Sequence, residues 1–493
     1  MKDYILSIDQ STSATKAFLF NRNAEIIVSV SIAHKQIYPH EGFVEHDPME
    51  IYDNVCSSMA QVISQANIKA SSIAALSLSN QRETCVVWNK KTGLPIYNAI
   101  VWQCNRSKEI CASLEDKKEI IKSHTGLVLS PFFPAGKISW ILQNVPVAQE
   151  LINEQNLLCG TIDSWLIWKL SGGKHLTDYT NASRTQLFNI HTLNWDKAIL
   201  NFFNIPLDIM PNVRYSDEVF ATTLINGNEI PIIGVMGDSH AALFAQNCYL
   251  PGEAKVTYGT GSSVMMNIGT EPIQSQNGIV TSIGFSCKEK IQYVFEGNIN
   301  STGATISWLS DILGILPVDK FEKLATNVST NLGVCIVPAF TGLGAPYWDS
   351  DAKACITGLT FGAGKEHIAR AGLESIAFQI ADIIEVMLKD SNFDLKELRV
   401  DGGPTVNRFL MQFQSDILKA DITTNRISEL SAAGSMLMAG LALGYWNDID
   451  DLRRLRKVGD TYSSHMDAEK RNALRAQWRK AVSMARLRDG API

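Results

Sequence analysis

One pattern that occurs twice constrains the fold of this chain more than any other feature. Residues 5–20 read "ILSIDQSTSATKAFLF", in which two apolar runs flank an acid, an amide and several small hydroxyl residues. Residues 254–269 read "AKVTYGTGSSVMMNIG", again two strand-like runs about a Gly/Thr/Ser turn. β-type runs bounded by turn residues predict a β-hairpin at each place. The repetition predicts a duplicated architecture, in which two similar domains face each other.

Strand and helix patterns alternate after the first hairpin. Strands are predicted over 4–9, 16–20, 25–32 and 73–79, because apolar and β-branched residues are bounded there by turn residues. The segment 48–66 has apolar residues at helical spacing. Strands that alternate with helices indicate an α/β fold.

The same plan starts again half way along the chain. Residues 230–246 read as a strand, a Gly-Asp turn and a helix, and further amphipathic helices are predicted over 367–390 and 407–420. A chain of 493 residues is too long for one ordinary core. We therefore predict two domains, residues 1–246 and 247–493, joined by short hinges.

Charge and cysteine content restrict the partners and the compartment. A net charge of −6 argues against general binding to nucleic acid or to a membrane surface, because both need an extended basic field. The nine cysteines are scattered singly without a Cys-x-x-Cys motif, which favours a reducing cytoplasm over disulfides or structural zinc. The most apolar late stretch, "SMLMAGLALGYW", is too short to span a bilayer. We predict a cytoplasmic protein with no nucleic-acid partner and no membrane insertion.

The tip of the first hairpin is suited to phosphate oxygens. Main-chain N–H groups and hydroxyls in a tight turn form an anion-binding concavity, and Lys16 adds a positive charge at its rim. Asp9, at the end of the strand, could hold a hydrated Mg²⁺, since this ion prefers carboxylates and water. A solvated polar hairpin would have the same composition, so this turn alone leaves both interpretations open.

The tip of the second hairpin has the same character. Gly259 and Gly261 allow close approach of the backbone to a ligand, and Thr260 offers a hydroxyl. An ordinary Gly-rich hairpin is the alternative. Two such turns in matching positions of two domains favour a clamp on the phosphates of one ligand.

Polar residues at three other strand ends are candidates for chemistry. Asp238 stands between an apolar strand and a helix, where an acid serves as an N-cap or as a general base. Arg82 and Glu83 follow an apolar strand, where unpaired charges are costly, so they pair locally or bind a polar ligand. Trp102 could cover a sugar-like carbon chain. The segment 401–407, "DGGPTVN", fits a seat for a nucleotide base or ribose and equally a simple strand-to-helix turn.

Nearly end to end, the chain resembles the FGGY family of carbohydrate kinases. The first family signature fits residues 132–144, "FFPAGKISWILQN", throughout. The second fits residues 354–374 apart from Gly372, where the family usually has a different small or β-branched residue. The other segments that carry the resemblance are "GFVEHDPMEI", "NQRET", "PIYNAIVWQC", "HTGLV", "DSWLIWKL", "TDYTNASRTQLFNIHTL", "VPAFTGLGAPYWD", "LESIAFQ", "LRVDGG" and "FLMQFQSDIL".

The resemblance implies an actin-like (ribonuclease H-like) ATPase fold of two domains around a central cleft, with ATP and Mg²⁺ as cofactors. By position, Asp238 matches the catalytic base, and Asp9 and Asp238 match the acids that hold Mg²⁺ through water. The implied polyol contacts are Arg82, Glu83, Trp102, Phe132, Asp238, Ser239 and Ser263. The implied nucleotide contacts are Thr12, Ser13, Lys16, Thr260, Gly261, Gly303, Ser307, Gly403 and Asn407. Family members commonly form dimers or tetramers, so a homo-oligomer is expected.

Departures from the family pattern fall mostly in the polyol pocket. Phe132 replaces the usual Tyr, Ser263 replaces the usual Phe, and Ser239 with His240 replaces Gln-Gln. Loss of a phenol hydroxyl removes roughly 0.5–1.5 kcal/mol of net hydrogen bonding. One methylene is discriminated by only about 1–3 kcal/mol, so such changes could shift the preference to a longer polyol.

Departures in the nucleotide region are Ser11, Lys16 and Ser307, in place of the usual Gly, Arg and Gln. The loop "INGNEIPI" is short and lacks the basic residue associated with sugar-bisphosphate feedback in some relatives, so the resemblance gives no ground to expect that regulation.

The sequence therefore predicts ATP-dependent phosphorylation of a primary hydroxyl of a small polyol. Glycerol, converted to glycerol 3-phosphate with Asp238 as general base, is the first expectation. A kinase for a longer polyol or a ketose, of the erythritol, xylitol or xylulose type, is one alternative. A non-kinase actin-like ATPase that works by conformational change is a second, and a catalytically weakened sugar sensor is a third.

Overall fold

The structure, a computed structural model, describes residues 2–315, 320–427 and 429–487. Within these ranges the chain forms 23 β-strands and 16 α-helices, numbered here in chain order. Two large sheets, one of six strands and one of seven, form the centres of the two halves of the molecule.

The strands of the first half are β1 (Tyr4–Gln10), β2 (Ala14–Asn21), β3 (Ile26–Ala33), β4 (Glu45–His46), β5 (Ile73–Asn80), β6 (Cys85–Asn89), β7 (Ala99–Ile100), β8 (Leu157–Thr161), β9 (Leu176–Asp178), β10 (Phe188–Asn189), β11 (Asn194–Trp195), β12 (Asn212–Arg214), β13 (Val219–Ile225) and β14 (Asn228–Gly237). Those of the second half are β15 (Ala254–Tyr258), β16 (Ser262–Gly269), β17 (Val280–Cys287), β18 (Lys290–Ile299), β19 (Cys335–Val337), β20 (Cys355–Thr357), β21 (Glu397–Gly402), β22 (Asp421–Asn425) and β23 (Val458–Tyr462).

The helices of the first half are α1 (Pro48–Gln65), α2 (Lys108–Ser113), α3 (Lys118–Thr125), α4 (Pro134–Asn144), α5 (Val147–Asn153), α6 (Ile162–Ser171), α7 (Tyr179–Ala182), α8 (Lys197–Phe202) and α9 (Asp238–Ala245). Those of the second half are α10 (Gly303–Leu313), α11 (Lys320–Thr326), α12 (Lys365–Ser391), α13 (Arg408–Leu418), α14 (Leu430–Ala442), α15 (Ile449–Leu455) and α16 (Ala468–Ala485). The predicted hairpins and the predicted strand and helix segments are confirmed, with ends that differ by a few residues.

The six-stranded sheet brings three predicted site segments to one edge. Its strand order is β13-β14-β5-β1-β2-β3, and β1, β5 and β14 run parallel. In the register, Gln10 lies beside Asn80, and Gly237 lies on the other side of Asn80. Because the carboxyl ends of parallel strands meet at one edge, the first hairpin tip, Arg82 with Glu83, and Asp238 emerge together.

The seven-stranded sheet repeats this arrangement in the second half. Its order is β17-β18-β16-β15-β21-β22-β23, with β15 antiparallel to β16 and parallel to β21. Tyr258 lies beside Gly402 at the end of these strands. The second hairpin tip and the turn after β21 therefore share one edge.

A small third sheet, of order β4-β7-β6-β8, extends the first half beyond its main sheet. Cys85, at the start of β6, pairs with Ile100 in β7. This pairing brings the segment that ends in Glu83 close to the segment that starts at Trp102.

The apolar core joins the two halves. One buried cluster contains Phe18 and Met236 from the first sheet together with Met265 and Val294 from the second. Helix α14 lies across β1, β5 and β14, although it comes late in the chain. Its Gly434 allows α14 to pack closely on α9 as well, because a Cβ there would overlap the carbonyl oxygen of Ala241 in α9.

Gly372, the departure from the second family signature, lies in α12 where this helix meets α10. A Cβ at Gly372 would overlap the buried side chain of Leu309. The absence of a side chain therefore allows these two helices to pack closely.

Two findings bear on the environment of the protein. Every helix in the described ranges falls short of the length and apolar content that a bilayer crossing needs. All nine cysteines lie in the described ranges and are free thiols, seven of them buried.

Candidate active site

The first hairpin tip, Ser11–Ser13, is fixed by its own residues and by the small sheet. The Ser11 amide and its hydroxyl both donate to the Ala14 carbonyl, each at 2.9 Å. The Thr12 hydroxyl accepts a hydrogen bond of 2.9 Å from the indole N–H of Trp102. Ser13 is exposed. A predicted phosphate contact, Thr12, therefore touches a predicted polyol contact, Trp102.

Two charged residues flank this tip on adjacent strands. Asp9 is buried and accepts a hydrogen bond from the Ser79 hydroxyl. Burial raises the pKa of Asp9 to about 6, and the carboxylate of Asp238 adds to the rise, whereas Ser79 and Lys16 oppose it. Lys16 lies beside Asp9 in the strand register, and its Nζ pairs with Glu429 at 2.9 Å.

At the second hairpin tip, the close packing depends on glycines. The Gly259 amide donates to the Gly261 carbonyl at 2.7 Å, and α10 begins directly against this turn. The Gly303 amide donates to the Gly259 carbonyl at 3.0 Å, and a Cβ on Gly303 would lie 2.6 Å from that oxygen. A Cβ on Gly261 would overlap the Ile299 carbonyl oxygen. Thr260 is exposed at the tip.

The remaining predicted nucleotide contacts lie after β21, at the start of α13 and on α10. Gly403 follows β21, and a Cβ built there would have nothing within 4 Å. Asn407 caps α13, because its side-chain oxygen accepts a hydrogen bond of 2.8 Å from the Leu410 amide. The side-chain NH₂ group of Asn407 is thus its remaining donor. Ser307 is exposed on α10, one turn after Gly303.

A buried network of charges joins the edges of the two sheets. Both terminal nitrogens of Arg82 donate to the two carboxylate oxygens of Glu296, each at 2.8 Å. Arg82 Nε donates to Asp238 Oδ1 at 3.1 Å. Arg184 lies 3.0 Å from Glu296. Burial alone would raise the pKa of Glu296, but Arg184 and Arg82 hold it well below its usual range.

Glu83 occupies an unusual position in this network. Its φ of +59° places it in the left-handed region, which a non-glycine residue rarely adopts. Arg184 Nε donates to its carboxylate at 2.5 Å. Strained backbone of this kind concentrates at functional sites, where neighbouring groups hold it in place.

Two aromatic rings form the apolar side of the pocket. The rings of Trp102 and Phe132 meet edge to face, with centroids 5.7 Å apart. Behind them, the buried Lys137 donates from Nζ to the main-chain oxygens of Phe132 at 2.5 Å and Glu83 at 3.1 Å. Burial lowers the pKa of Lys137 to about 8.

Two predicted polyol contacts differ in their surroundings. Ser239 lies beside Asp238, and its amide donates to Asp238 Oδ1 at 2.6 Å. Ser263 lies in β16, two residues before the Met265 that pairs with Glu296, so Ser263 is on the face of the second sheet that carries Glu296. Its hydroxyl is buried and has no hydrogen-bond partner among the described residues.

The structure thus gathers the predicted residues at the two sheet edges, and it adds partners that the sequence analysis missed. These partners are Ser79, Lys137, Arg184, Glu296 and Glu429. Glu296 did leave a signal, since it is an acid in the middle of an apolar strand pattern. Glu429 left none, because its partner Lys16 is 413 positions away.

The acids of the site fit a magnesium ion. Asp238 is close enough to the buried Asp9 for its carboxylate to disfavour the ionised form of Asp9. Within the described residues there is no group of three or more His, Cys, Asp or Glu side chains arranged to hold a metal. Two carboxylates, supplemented by water and by phosphate oxygens, match the ligands that Mg²⁺ uses in phosphoryl-transfer sites.

Comparison with known proteins gives a consistent result. The model of the N-terminal domain of the FGGY family of carbohydrate kinases matches residues 4–245, and that of the C-terminal domain matches residues 254–443. "Glycerol kinase 1" of Thermotoga maritima is 48% identical over 97% of this chain and 99% of its own. The glycerol kinase of Aliivibrio fischeri is 46% identical over 98% of this chain and 97% of its own.

The same relationship holds in three dimensions. The crystal structure of Plasmodium falciparum glycerol kinase with ADP superposes with a TM-score of 0.93, at 36% identity, over 98% of both chains. The predicted two-domain actin-like ATPase fold is therefore correct, and a non-kinase ATPase is disfavoured. The two family models and this degree of identity show that the chain belongs to the FGGY family of carbohydrate kinases.

Proposed function

We propose that this protein transfers the γ-phosphoryl group of ATP to a primary hydroxyl of glycerol, giving glycerol 3-phosphate and ADP. The observation that carries the proposal is the position of Asp238. This acid begins α9 at the edge of the first sheet, where it contacts Arg82 and lies close to Asp9 and the first hairpin tip. Relatives that match almost the whole chain are named glycerol kinase, which supports glycerol as the acceptor.

Asp238 would act as the general base. Arg82 Nε and the Ser239 amide both donate to Oδ1, so Oδ2 is the oxygen offered to a substrate hydroxyl. As the hydroxyl oxygen bonds to the γ-phosphorus, its proton passes to Asp238 and the bond to the β-phosphate oxygen breaks, which releases ADP. Asp9 and Asp238 would hold Mg²⁺ through water, and this ion neutralises charge on the phosphate oxygens.

The polyol would lie between the charged network and the aromatic rings. Glu83, fixed by Arg184, accepts hydrogen bonds from substrate hydroxyls, and Arg82 donates to them with the N–H groups that Glu296 leaves available. Trp102 and Phe132 cover the carbon chain. The two hairpin tips would hold the phosphates of ATP from opposite sides, with Thr260, Gly261 and α10 on the second side.

The test is a coupled assay of ADP release with MgATP against glycerol, erythritol, xylitol, ribitol and common ketoses, with Asp238→Asn as the control. We expect glycerol to give the highest kcat/KM and the variant to lose almost all of its kcat. If no polyol or ketose stimulates ADP release, the proposal is wrong.

A longer polyol or a ketose is the second candidate, and the Ser263 hydroxyl favours it. This buried group has no partner among the described residues and lies on the sheet face that carries Glu296. An additional substrate hydroxyl could satisfy it. In Ser263→Phe, an aromatic ring would take the place of this hydroxyl and exclude the additional substrate hydroxyl. If the second candidate is right, erythritol exceeds glycerol in kcat/KM and loses at least tenfold in the variant, whereas glycerol loses less.

The compartment and the assembly remain proposals as well. Nine free thiols suit a reducing cytoplasm. Leu359 and Phe361 form an exposed apolar loop, which supports a homo-oligomer such as a dimer or tetramer. Light scattering on the purified protein would give its mass. A monomer at micromolar concentration would contradict the proposed homo-oligomer.

A further inference from the structure

Lys137 is a buried cation that the proposed chemistry does not use. It lies near the start of α4 and its side chain is completely buried. A buried ammonium group needs hydrogen-bond partners, and here they are two main-chain oxygens rather than a carboxylate. These oxygens belong to Glu83, at 3.1 Å, and Phe132, at 2.5 Å. Both residues line the proposed polyol pocket, on opposite sides.

On the polar side of the proposed polyol pocket, Lys137 provides a second hydrogen bond that holds Glu83 in place. This residue has a left-handed backbone, and Arg184 already holds its carboxylate. The bond from Lys137 holds its carbonyl oxygen, so the residue is fixed at the main chain and at the side chain. Without the ammonium group, Glu83 could relax to an ordinary backbone conformation and its carboxylate would move.

On the apolar side, the same ammonium group fixes the aromatic wall. Lys137 Nζ lies 5.9 Å from the centre of the Phe132 ring, in addition to its bond to the Phe132 carbonyl. The Phe132 ring packs against Trp102. One side chain therefore sets the distance between the carboxylate and the rings.

We infer that Lys137 is a positioning residue for the acceptor substrate, which fixes the spacing between Glu83 and the Phe132–Trp102 wall. This inference rests on the proposed polyol kinase function. Lys137 would act on polyol binding and not on nucleotide binding, because its two partners belong to the polyol pocket and neither hairpin tip contacts its Nζ in the hydrogen bonds of the described residues.

The test uses Lys137→Met, which keeps the length of the side chain and removes the donors, and Lys137→Arg, which keeps charge and donors. The matched control is Arg106→Met. Arg106 is also a buried cation of the first half, but it pairs with Glu45 and packs on Phe43, and no hydrogen bond or ion pair in the described residues joins it to Glu83 or Phe132. For each protein, KM for glycerol and for MgATP, kcat, Tm, and glycerol affinity by calorimetry would be measured.

For Lys137→Met we expect KM for glycerol to rise at least tenfold while KM for MgATP changes less than twofold. Lys137→Arg should recover part of the glycerol affinity. Arg106→Met should lower Tm and leave KM for glycerol within twofold, because only its packing role is lost.

Three results would overturn the inference. The first is an unchanged glycerol KM in Lys137→Met, and the second is an equal rise of both KM values, which would indicate a general structural role. If Lys137→Met does not fold, an equal rise of the KM values for glycerol and MgATP in Lys137→Arg, with a Tm lowered as in Arg106→Met, would do the same. If the wild-type protein releases no ADP with any polyol, the proposed function is wrong. The inference about Lys137 can then still be tested, by comparing the calorimetric affinity for glycerol of the wild type and the Lys137 variants.

Discussion

The two hairpin tips have similar sequences, but they are built from different chemical groups. At the first tip and beside it the important groups are side chains: the hydroxyl of Thr12 in the tip, and next to it the carboxylates of Asp9 and Asp238 and the ammonium of Lys16. At the second tip they are backbone atoms, because Gly261 and Gly303 bring the chain within contact of other main-chain oxygens. The same architecture, present in two copies, can therefore position reactive side chains in one copy and use close backbone packing in the other.

This difference predicts different responses to substitution. At the first edge, a change of charge with no change of shape should remove function. At the second edge, one methyl group added to a glycine should be enough to weaken nucleotide binding. The size of this effect should depend on the space around the glycine.

The largest effect is expected at Asp238. Asp238→Asn keeps the shape of the side chain and removes the base, so kcat should fall about 10³-fold, within the range typical of general-base catalysis. KM for glycerol should change only a few-fold, since the amide still bonds to its neighbours. Steady-state kinetics checks this. A variant that keeps a tenth of the wild-type kcat would show that charge at the first edge is not essential.

The next effect is expected for Glu296→Gln, which leaves Arg82 and Arg184 without their shared carboxylate. Breaking a buried ion pair costs about 3–5 kcal/mol of unfolding free energy, because the remaining charge stays buried. Urea unfolding measures the loss.

Glu429→Gln is the matched control for this experiment. It removes the partner of Lys16 in a pair whose side chains are 31% and 30% exposed. Partly exposed pairs contribute about 0–1 kcal/mol, so the control should be close to the wild type. Equal losses in the two variants would contradict the special role of the buried network.

A smaller effect is expected for Gly261→Ala, whose new methyl group would overlap the Ile299 carbonyl oxygen. The turn must shift, and KM for MgATP should rise about tenfold, which corresponds to roughly 1.4 kcal/mol. Gly362→Ala is the control, because Gly362 is not among the nucleotide contacts and its methyl group would come no closer than 3.8 Å to the nearest atom, the Thr360 hydroxyl. If the two variants bind MgATP equally well, close backbone packing does not define the second tip.

The smallest effect on catalysis is expected at a buried acid away from both tips, which instead makes the stability depend on pH. Burial, assisted by Asp178, raises the pKa of Asp163 from 3.8 to about 7. Between these values the folded protein binds a proton that the unfolded chain has lost, so the stability from Asp163 is present at low pH and declines as the pH rises toward 7.

The comparison of Asp163→Asn with the wild type isolates this contribution. The difference in unfolding free energy between the two proteins should favour the variant progressively from pH 5 to pH 7.5 and then become constant. A difference independent of pH would show that Asp163 is ionised in the folded protein throughout.

Local patterns were sufficient to predict one part of this structure. The hairpins, the helices and the positions of Asp9 and Asp238 at strand ends all follow from short stretches of sequence, because period and turn residues are local properties. The family resemblance then indicated their roles.

The remaining part depends on contacts between distant residues. Arg82 and Glu296 are 214 positions apart, and no short pattern marks them as partners. The left-handed backbone of Glu83 also had no signal, because the residues that hydrogen-bond to Glu83, Arg184 and Lys137, are distant in the chain.

The position of α14 has a consequence for synthesis on the ribosome. This helix covers β1, β5 and β14, and the Ser7 hydroxyl donates to the Ala432 carbonyl, 425 positions later. Chains emerge at roughly 5–20 residues per second, so the sheet that is made first waits tens of seconds for its cover. During that time its apolar face is accessible to chaperones and to other nascent chains. Stop codons placed before α14 should therefore yield fragments that aggregate. These fragments would still contain the whole first hairpin and Asp238.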